Sequence, residues 1–327
     1  MRKKLTSLKL MVLGILAICT LAGTAAAAGA KGDRPVPPGL NFLFDKDAFA
    51  VLGSQAEPAG AKALSRLSLK LYGGYNHMTA GDVNAGSDYF FELIEAYAAG
   101  GGASYTGSYK PLHGGYDFGA DLIYKITKSF GIGVGAGYMR SSAASLATYT
   151  EDTFSVDITA DAMLSAVPIR LGLFLDVPVG GKLNLTAGAG AAYYMGLKFD
   201  ATQGLEYPDG SWQTMNVAGN ERSGADIGFH GSLGLEYMFS PKLGFFVEAV
   251  GRYAKFKNFE TVTGTTEYSD GTPETTEGIL YLYSETIGTT EVSGFGISET
   301  PVTDPDVREP KFDLGGFSLQ AGFRIRF

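Results

Sequence analysis

His230, Gly231 and Ser232, followed by Glu236, place an imidazole, a hydroxyl and a carboxylate at even spacing. In an extended strand, residues at even spacing share one face. Nucleophilic catalysis needs a hydroxyl beside a base that a third group orients, so these residue types would suffice for acyl chemistry if they converged on a substrate groove. No groove is legible around them. The competing role is a polar network in which the three bond to one another or to nearby arginines, and that network is the expectation.

Two other stretches carry residues suited to binding. Gly131, Gly133, Gly135 and Gly137 form GIGVGAG, which looks like a phosphate-cradling loop. A dinucleotide fingerprint needs GxGxxG between a strand and a helix. Here the glycines keep period two, so they belong to a strand and thin one of its faces, leaving space for long side chains opposite. Asp304 and Asp306, or Asp270, Glu274 and Glu277, offer carboxylates to a divalent cation, but no EF-hand spacing accompanies them. Solvated acidic surface is expected there, and no cofactor or metal is implied.

The elements that position these residues are strands. Eight segments show strand periodicity: 66–76, 115–127, 130–140, 164–177, 182–196, 225–239, 243–256 and 314–327. Each is near or above the ~9–11 residues that cross a bilayer as a tilted strand. Within them the charges keep one parity: Arg66 and Lys70; Asp117, Asp121 and Lys125; Arg170 and Asp176; Asp226, His230 and Glu236; Glu248 and Arg252; Arg324 and Arg326. The opposite parity is apolar, as in Leu67, Leu69 and Leu71, or Val167, Ile169, Leu171, Leu173 and Leu175. A basic side chain facing lipid at the midplane costs ~2–4 kcal/mol, so the charged parity must face inward.

Aromatic residues on the apolar parity mark both ends of the strands. Tyr75, Tyr116, Tyr138, Tyr193, Tyr253 and Phe317 stand at one end; Tyr124, Phe239, Phe245 and Phe327 stand at the other. Amphipathic rings prefer the headgroup level. A soluble barrel of lipocalin type would bury the apolar parity and expose the charges, and explains neither girdle. The inward parity holds seven basic and six acidic residues. Near balance in a lumen just wide enough for side chains favours pairing. The lumen is therefore expected to be a polar plug, with Glu248 opposite Arg252 or Arg170.

Connections alternate in length. Short ones fall at Thr127–Phe130, Pro178–Lys182 and Ser240–Lys242; long ones run over His77–Gly114, Ser141–Met163, Lys198–Gly224 and Asn258–Asp313. That alternation is what an all-β, eight-stranded antiparallel up-and-down transmembrane barrel requires. Ahead of it, residues 1–30 have basic Arg2, Lys3, Lys4 and Lys9, an apolar run and a small-residue stretch at Thr24–Ala30. This is the plan of a secretory signal peptide; the apolar run falls short of the ~20 residues of a spanning helix. Residues 31–64, rich in Pro, Gly and Ala, read as a periplasmic leader, leaving 65–327 as the barrel domain. Removing the signal takes the formal net charge from −8 to −12 and removes the single cysteine. Nucleic acid is a poor partner for such a chain.

The last segment, LGGFSLQAGFRIRF, ends on Phe327 after alternating Phe323 and Ile325. It resembles the terminal strand of bacterial outer-membrane barrels, in which a final Phe and the alternating residues before it are read by the barrel-assembly machinery. Over residues 66–327 the chain resembles the small bacterial outer-membrane β-barrel proteins, the opacity-type, OmpX-like and OmpW-like barrels. The resemblance implies residence in the cell outer membrane, contact with outer-membrane lipid and lipopolysaccharide, and an unknown extracellular ligand. It implies a structural or surface-interaction role, with passive transport of small or hydrophobic solutes as the alternative. The HxS at His230 and Ser232 also resembles that of the lipid A deacylase barrels, where a His and a Ser two apart act with a Glu as base, nucleophile and orienter. That family continues with a polar run, whereas Leu233, Gly234 and Leu235 follow here, and no enzymatic activity is expected.

The long connections carry some order of their own. Ser87–Ala99 places Phe90, Leu93, Ile94 and Tyr97 on one helical face, for a short helix over the barrel mouth or at the membrane interface. Trp212 follows a Pro208-Asp209-Gly210 turn and reads as hairpin packing or an interfacial anchor. In the last long connection, twelve acidic residues face only Arg308 and Lys311, and the alternating runs 279–287 and 289–297 suggest a hairpin.

Overall fold

A computed structural model describes residues 66–222, 227–257, 259–287, 290–304 and 307–327. The expected signal segment 1–30 and leader 31–64 lie outside the described residues, as does Asp226. In chain order the elements are β1 (Leu67–Gly81), α1 (Asp82–Ser87), α2 (Tyr89–Gly101), β2 (Ser104–Ser108), β3 (Gly114–Lys125), β4 (Phe130–Glu151), β5 (Phe154–Gly180), β6 (Leu183–Glu206), β7 (Trp212–Arg222), β8 (Ile227–Met238), β9 (Leu243–Tyr253), β10 (Lys255–Phe256), β11 (Phe259–Tyr268), β12 (Glu274–Ile287), β13 (Thr290–Ser298), β14 (Val307–Arg308) and β15 (Phe312–Arg326).

Eight of these strands close into an antiparallel ring, β1–β3–β4–β5–β6–β8–β9–β15, with β15 pairing back onto β1 from Ser68↔Arg326 to Gly81↔Phe312. Closure removes every unpaired edge from the membrane zone, the condition for strands to stand in lipid. Side-chain chemistry shapes the short turns at one end. Thr127 Oγ1 accepts from the N–H of Phe130 at 3.0 Å, and Ser240 Oγ from the N–H of Leu243 at 3.1 Å. The β5–β6 turn uses Gly181 at φ 55°, a left-handed conformation open to glycine at little cost.

At the other end the strands run far past the membrane. β4, β5 and β6 have 22, 27 and 24 residues, about double what a tilted strand needs to cross. Much of what the sequence presents as loop at 141–163, 198–224 and 258–313 is therefore sheet. From β6 the sheet continues through β7, β11, β12 and β13, with β14 added to β12 and β2 to β4. Ile158, Ala160, Ala162 and Leu164 alternate on the inner face of β5 and are buried. The runs 279–287 and 289–297 do form a hairpin, β12–β13, joined edge-on to β11. Trp212 opens β7 opposite Glu206, beside the turn in which the Tyr207 N–H bonds the Ser211 carbonyl at 2.9 Å.

The expected helix at 87–99 is α2, displaced by two residues, and the short α1 precedes it. α2 ends at Gly102, whose φ of 78° is the left-handed cap typical of helix C-termini. Its packing face is rotated from the expected one: Phe91 is the buried anchor, with Phe90 and Ile94 against Ala147, Ile158 and Ala160, while Tyr97 is 60 % exposed. The helix thus lines the inner wall of the extended sheet. α1 is held to the last long connection by Asp82, which accepts from Arg308 Nη2 at 3.0 Å and from the Lys311 N–H at 2.6 Å. Burial alone would raise the Asp82 carboxyl, but these donors hold it below the usual carboxylate range.

Candidate functional site in the barrel lumen

The charged parity lines the lumen in two layers. Near the short turns, Asp176 bonds Lys125 at 2.7 Å and Arg324 at 2.8 Å, while Glu236 bonds Arg326 at 2.5 Å and lies 3.8 Å from Arg324. Arg324 Nε also donates to Ser68 Oγ at 3.1 Å. Three cations here share two carboxylates. Above them, Lys70 bonds Glu248 at 2.5 Å, Arg170 bonds Asp121 at 2.7 Å and Arg252 lies 3.7 Å from Asp117. Asp117 Oδ2 also accepts from Ser318 at 2.6 Å and Gln320 at 2.7 Å. Arg170 donates to the Tyr72 hydroxyl, and Arg252 to Ser318 and Asn76. This layer is charge-balanced.

Two placements differ from the sequence reading. Glu248 is bonded to Lys70, not to Arg252 or Arg170. Residues four apart on a strand, such as Glu248 and Arg252, stand ~13 Å apart along it, so reach over the intervening β15 to β1 decides the partner. Arg66 is exposed at the turn just before β1, outside the packed charges, because the ring has not yet begun to enclose it.

The glycines of GIGVGAG lie along the inner face of β4. A Cβ at Gly135 would collide with Asp121 Oδ1, and one at Gly133 would come within 2.7 Å of Phe174. The thinned wall makes room for the Asp121–Arg170 pair. His230, Ser232 and Glu236 all face inward but do not assemble as a trio. Glu236 is fully buried and committed to Arg326, with Arg324 close by, and His230 Nδ1 has no hydrogen-bond partner among the described residues. Of the acidic candidates in the last long connection, Asp270, Glu274 and Glu277 are exposed and Asp306 lies outside the described residues. Among the described residues no group of three or more His, Cys, Asp or Glu is arranged to hold a metal ion.

Sequence reasoning missed the upper plug. Beyond the charged layers the inward parity turns apolar. Met78, Met139, Leu164, Tyr194, Phe199, Phe256 and Phe312 join one buried cluster with Val83 of α1 and Phe259 of β11. The signal was present in the parity itself, since Arg252, Ala254 and Phe256 continue one face from charged to aromatic.

On the outside of the ring, Leu171, Leu173, Leu233, Leu235 and Leu319 are at least half exposed, an apolar band that water would penalise and hydrocarbon would cover. Exposed Tyr75, Tyr116, Tyr193, Tyr253 and Phe317 border it at the long-strand end, and Tyr124, Tyr237 and Phe239 at the turn end. Phe323 is exposed and Ile325 half-buried, and the Phe327 N–H bonds the Leu67 carbonyl at 3.0 Å.

Solved structures with a similar course include a major outer membrane protein of Thermus thermophilus (11 % identity, 80 % of this chain and 99 % of that one, TM-score 0.35). OprG of Pseudomonas aeruginosa follows (11 % identity, 80 % and 95 %, TM-score 0.29). The outer membrane protease OmpT of Escherichia coli matches at 9 % identity over 80 % and 95 %, with a TM-score of 0.28. No curated protein matches the sequence significantly. Residues 48–273, more than half of the chain, match the family model for the outer membrane protein beta-barrel domain. With its closed ring, inward charges and lipid-facing apolar band, this chain belongs to the outer membrane protein β-barrel domain family and resides in the cell outer membrane.

Proposed function

We propose that this barrel is a closed surface protein: a non-conducting membrane anchor whose extended outer sheet meets ligands or other surfaces outside the cell. The observation that carries this reading is the filled lumen. A path through the ring meets the paired charges of two layers and then the apolar cluster around Phe199, Phe259 and Phe312. An ion would have to displace buried pairs, each costing several kcal/mol to separate. Purified, refolded protein in a planar bilayer is expected to show no steady current at moderate voltage. Large, sustained, ion-selective currents would overturn the proposal and make passive solute transport the leading reading.

The same geometry supports a non-enzymatic role. An acyl-transfer trio needs a carboxylate free to orient the imidazole, and Glu236 is held by Arg326. Acyl release from lipid A in mixed micelles should stay at background. Release that disappears in Ser232→Ala would restore the enzymatic reading.

A further inference from the structure

The upper charged layer leaves five polar atoms over. Arg170 commits Nη2 to Asp121 and to the Tyr72 hydroxyl, and Arg252 commits its two terminal nitrogens to Ser318 and Asn76, so the Nε of each arginine stays unused. Asp117 takes its donors on Oδ2, and Gln320 gives its Nε2 to that same oxygen. Asp117 Oδ1 and Gln320 Oε1 are therefore left as bare acceptors, and His230 Nδ1 is the fifth atom. None of the five has a hydrogen-bond partner among the described residues. Asp117 and Gln320 are nevertheless only 7 % and 2 % exposed. Buried polar atoms in folded proteins are almost always paired, with protein or with ordered water.

All five residues line one chamber of about 20 Å³, which Met139 and Tyr194 of the apolar cluster also border. A buried water needs roughly 10–15 Å³ of such space and two to four polar partners. The chamber meets both conditions for one molecule. Its chemistry also selects among small occupants. An anion would be repelled by the Asp117 carboxylate and a cation by the two guanidinium groups, whereas water accepts from the Nε donors and donates to the bare oxygens.

We infer that this chamber binds one ordered water molecule, which draws its hydrogen bonds from these five atoms. The water ties Arg252 and Asp117 to Arg170 and to His230 on β8. His230 thereby enters the plug as a water ligand, a role in which it needs no nucleophile beside it. The site rests on the plugged lumen proposed above.

The test is a high-resolution crystal structure of the refolded full chain, grown in parallel with bromide and with rubidium salts. Expected is one fully occupied water peak within hydrogen-bond distance of at least two of the five atoms, with no anomalous signal there. An anomalous bromide or rubidium peak in the chamber would overturn the inference in favour of an ion site, and a chamber without density would overturn it in favour of a dry void. Val250→Ile, which adds a carbon to a buried wall of the chamber, should displace the water and lower the urea midpoint by about 0.5 M. Filling a dry void would instead hold or raise the midpoint, and that result also counts against the water. Should the variant fail to fold, the density in the parent decides. A steady bilayer current with the water in place would overturn the plug alone; no current and no water would overturn this site alone.

Discussion

Glu236→Ala is expected to destabilise the folded barrel by about 3–5 kcal/mol, the cost of leaving buried charge uncompensated. Its carboxylate is fully buried, bonded to Arg326 at 2.5 Å and 3.8 Å from Arg324, and it accepts from Asn184 Nδ2 at 3.4 Å. The turn-end layer already holds Lys125, Arg324 and Arg326 against Asp176 and Glu236. Without Glu236, three cations would share one carboxylate. The contrast is Arg324→Met, which loses an equally buried group but leaves two cations against two carboxylates, Lys125 with Asp176 and Arg326 with Glu236. It should cost less than half as much. Reversible urea unfolding of the barrel in lipid vesicles reads both values. If Arg324→Met proves the costlier change, local charge balance does not organise this layer.

Closure of the ring is the second large effect. Gly322 faces the lumen on β15 opposite Tyr72, on the seam where the last strand pairs with the first. A Cβ there would fall far inside van der Waals contact with the Leu71 carbonyl oxygen, and one at Gly74, across the seam, would do the same with that of Leu319. Backbone cannot rotate aside as a flexible side chain can. Gly322→Val should therefore cost at least the upper end of the ~1–3 kcal/mol usual for overpacking, with most of the protein failing to close. Gly251→Ala serves as control, since a methyl there meets nothing nearer than the Gly231 carbonyl at 4.0 Å. Mobility of unheated samples on detergent gels separates closed from open protein. A Gly322→Val variant that closes as fully as the control would contradict this account of the seam.

The membrane-embedded part of the fold was legible because lipid enforces a strict two-residue code. Leu171, Leu173 and Leu175 must meet hydrocarbon while Arg170 and Asp176 must not, so the eight segments, the two girdles and the inward charges could be read residue by residue. Outside the membrane that rule lapses. The stretch from Ser141 to Thr150 alternates only weakly in polarity, yet it continues β4, because pairing with β5 satisfies its backbone and α2 covers its inner face. Phe91 displaced Leu93 and Tyr97 as the helix anchor for the same reason: the wall it faces is built from strands distant in sequence.

Within an unbroken strand, parity decided which side chains face the lumen, and the sequence suffices for that, since period two is a local property of the backbone; Arg66 before β1 and the shift near Gly196 in β6 escape it. Which of them meet depends on the stagger of the strands around the ring. Lys70 and Glu248 are 178 residues apart and bond over the strand between them, β15, and Glu236 is drawn to Arg326 on β15 rather than to His230 on its own strand. The apolar cluster above them likewise joins Met78, Tyr194 and Phe259 from separate strands. A strand's own residues set the direction of each side chain; only closure of the ring sets the distance between them, and distance is what turns a row of charges into bonded pairs.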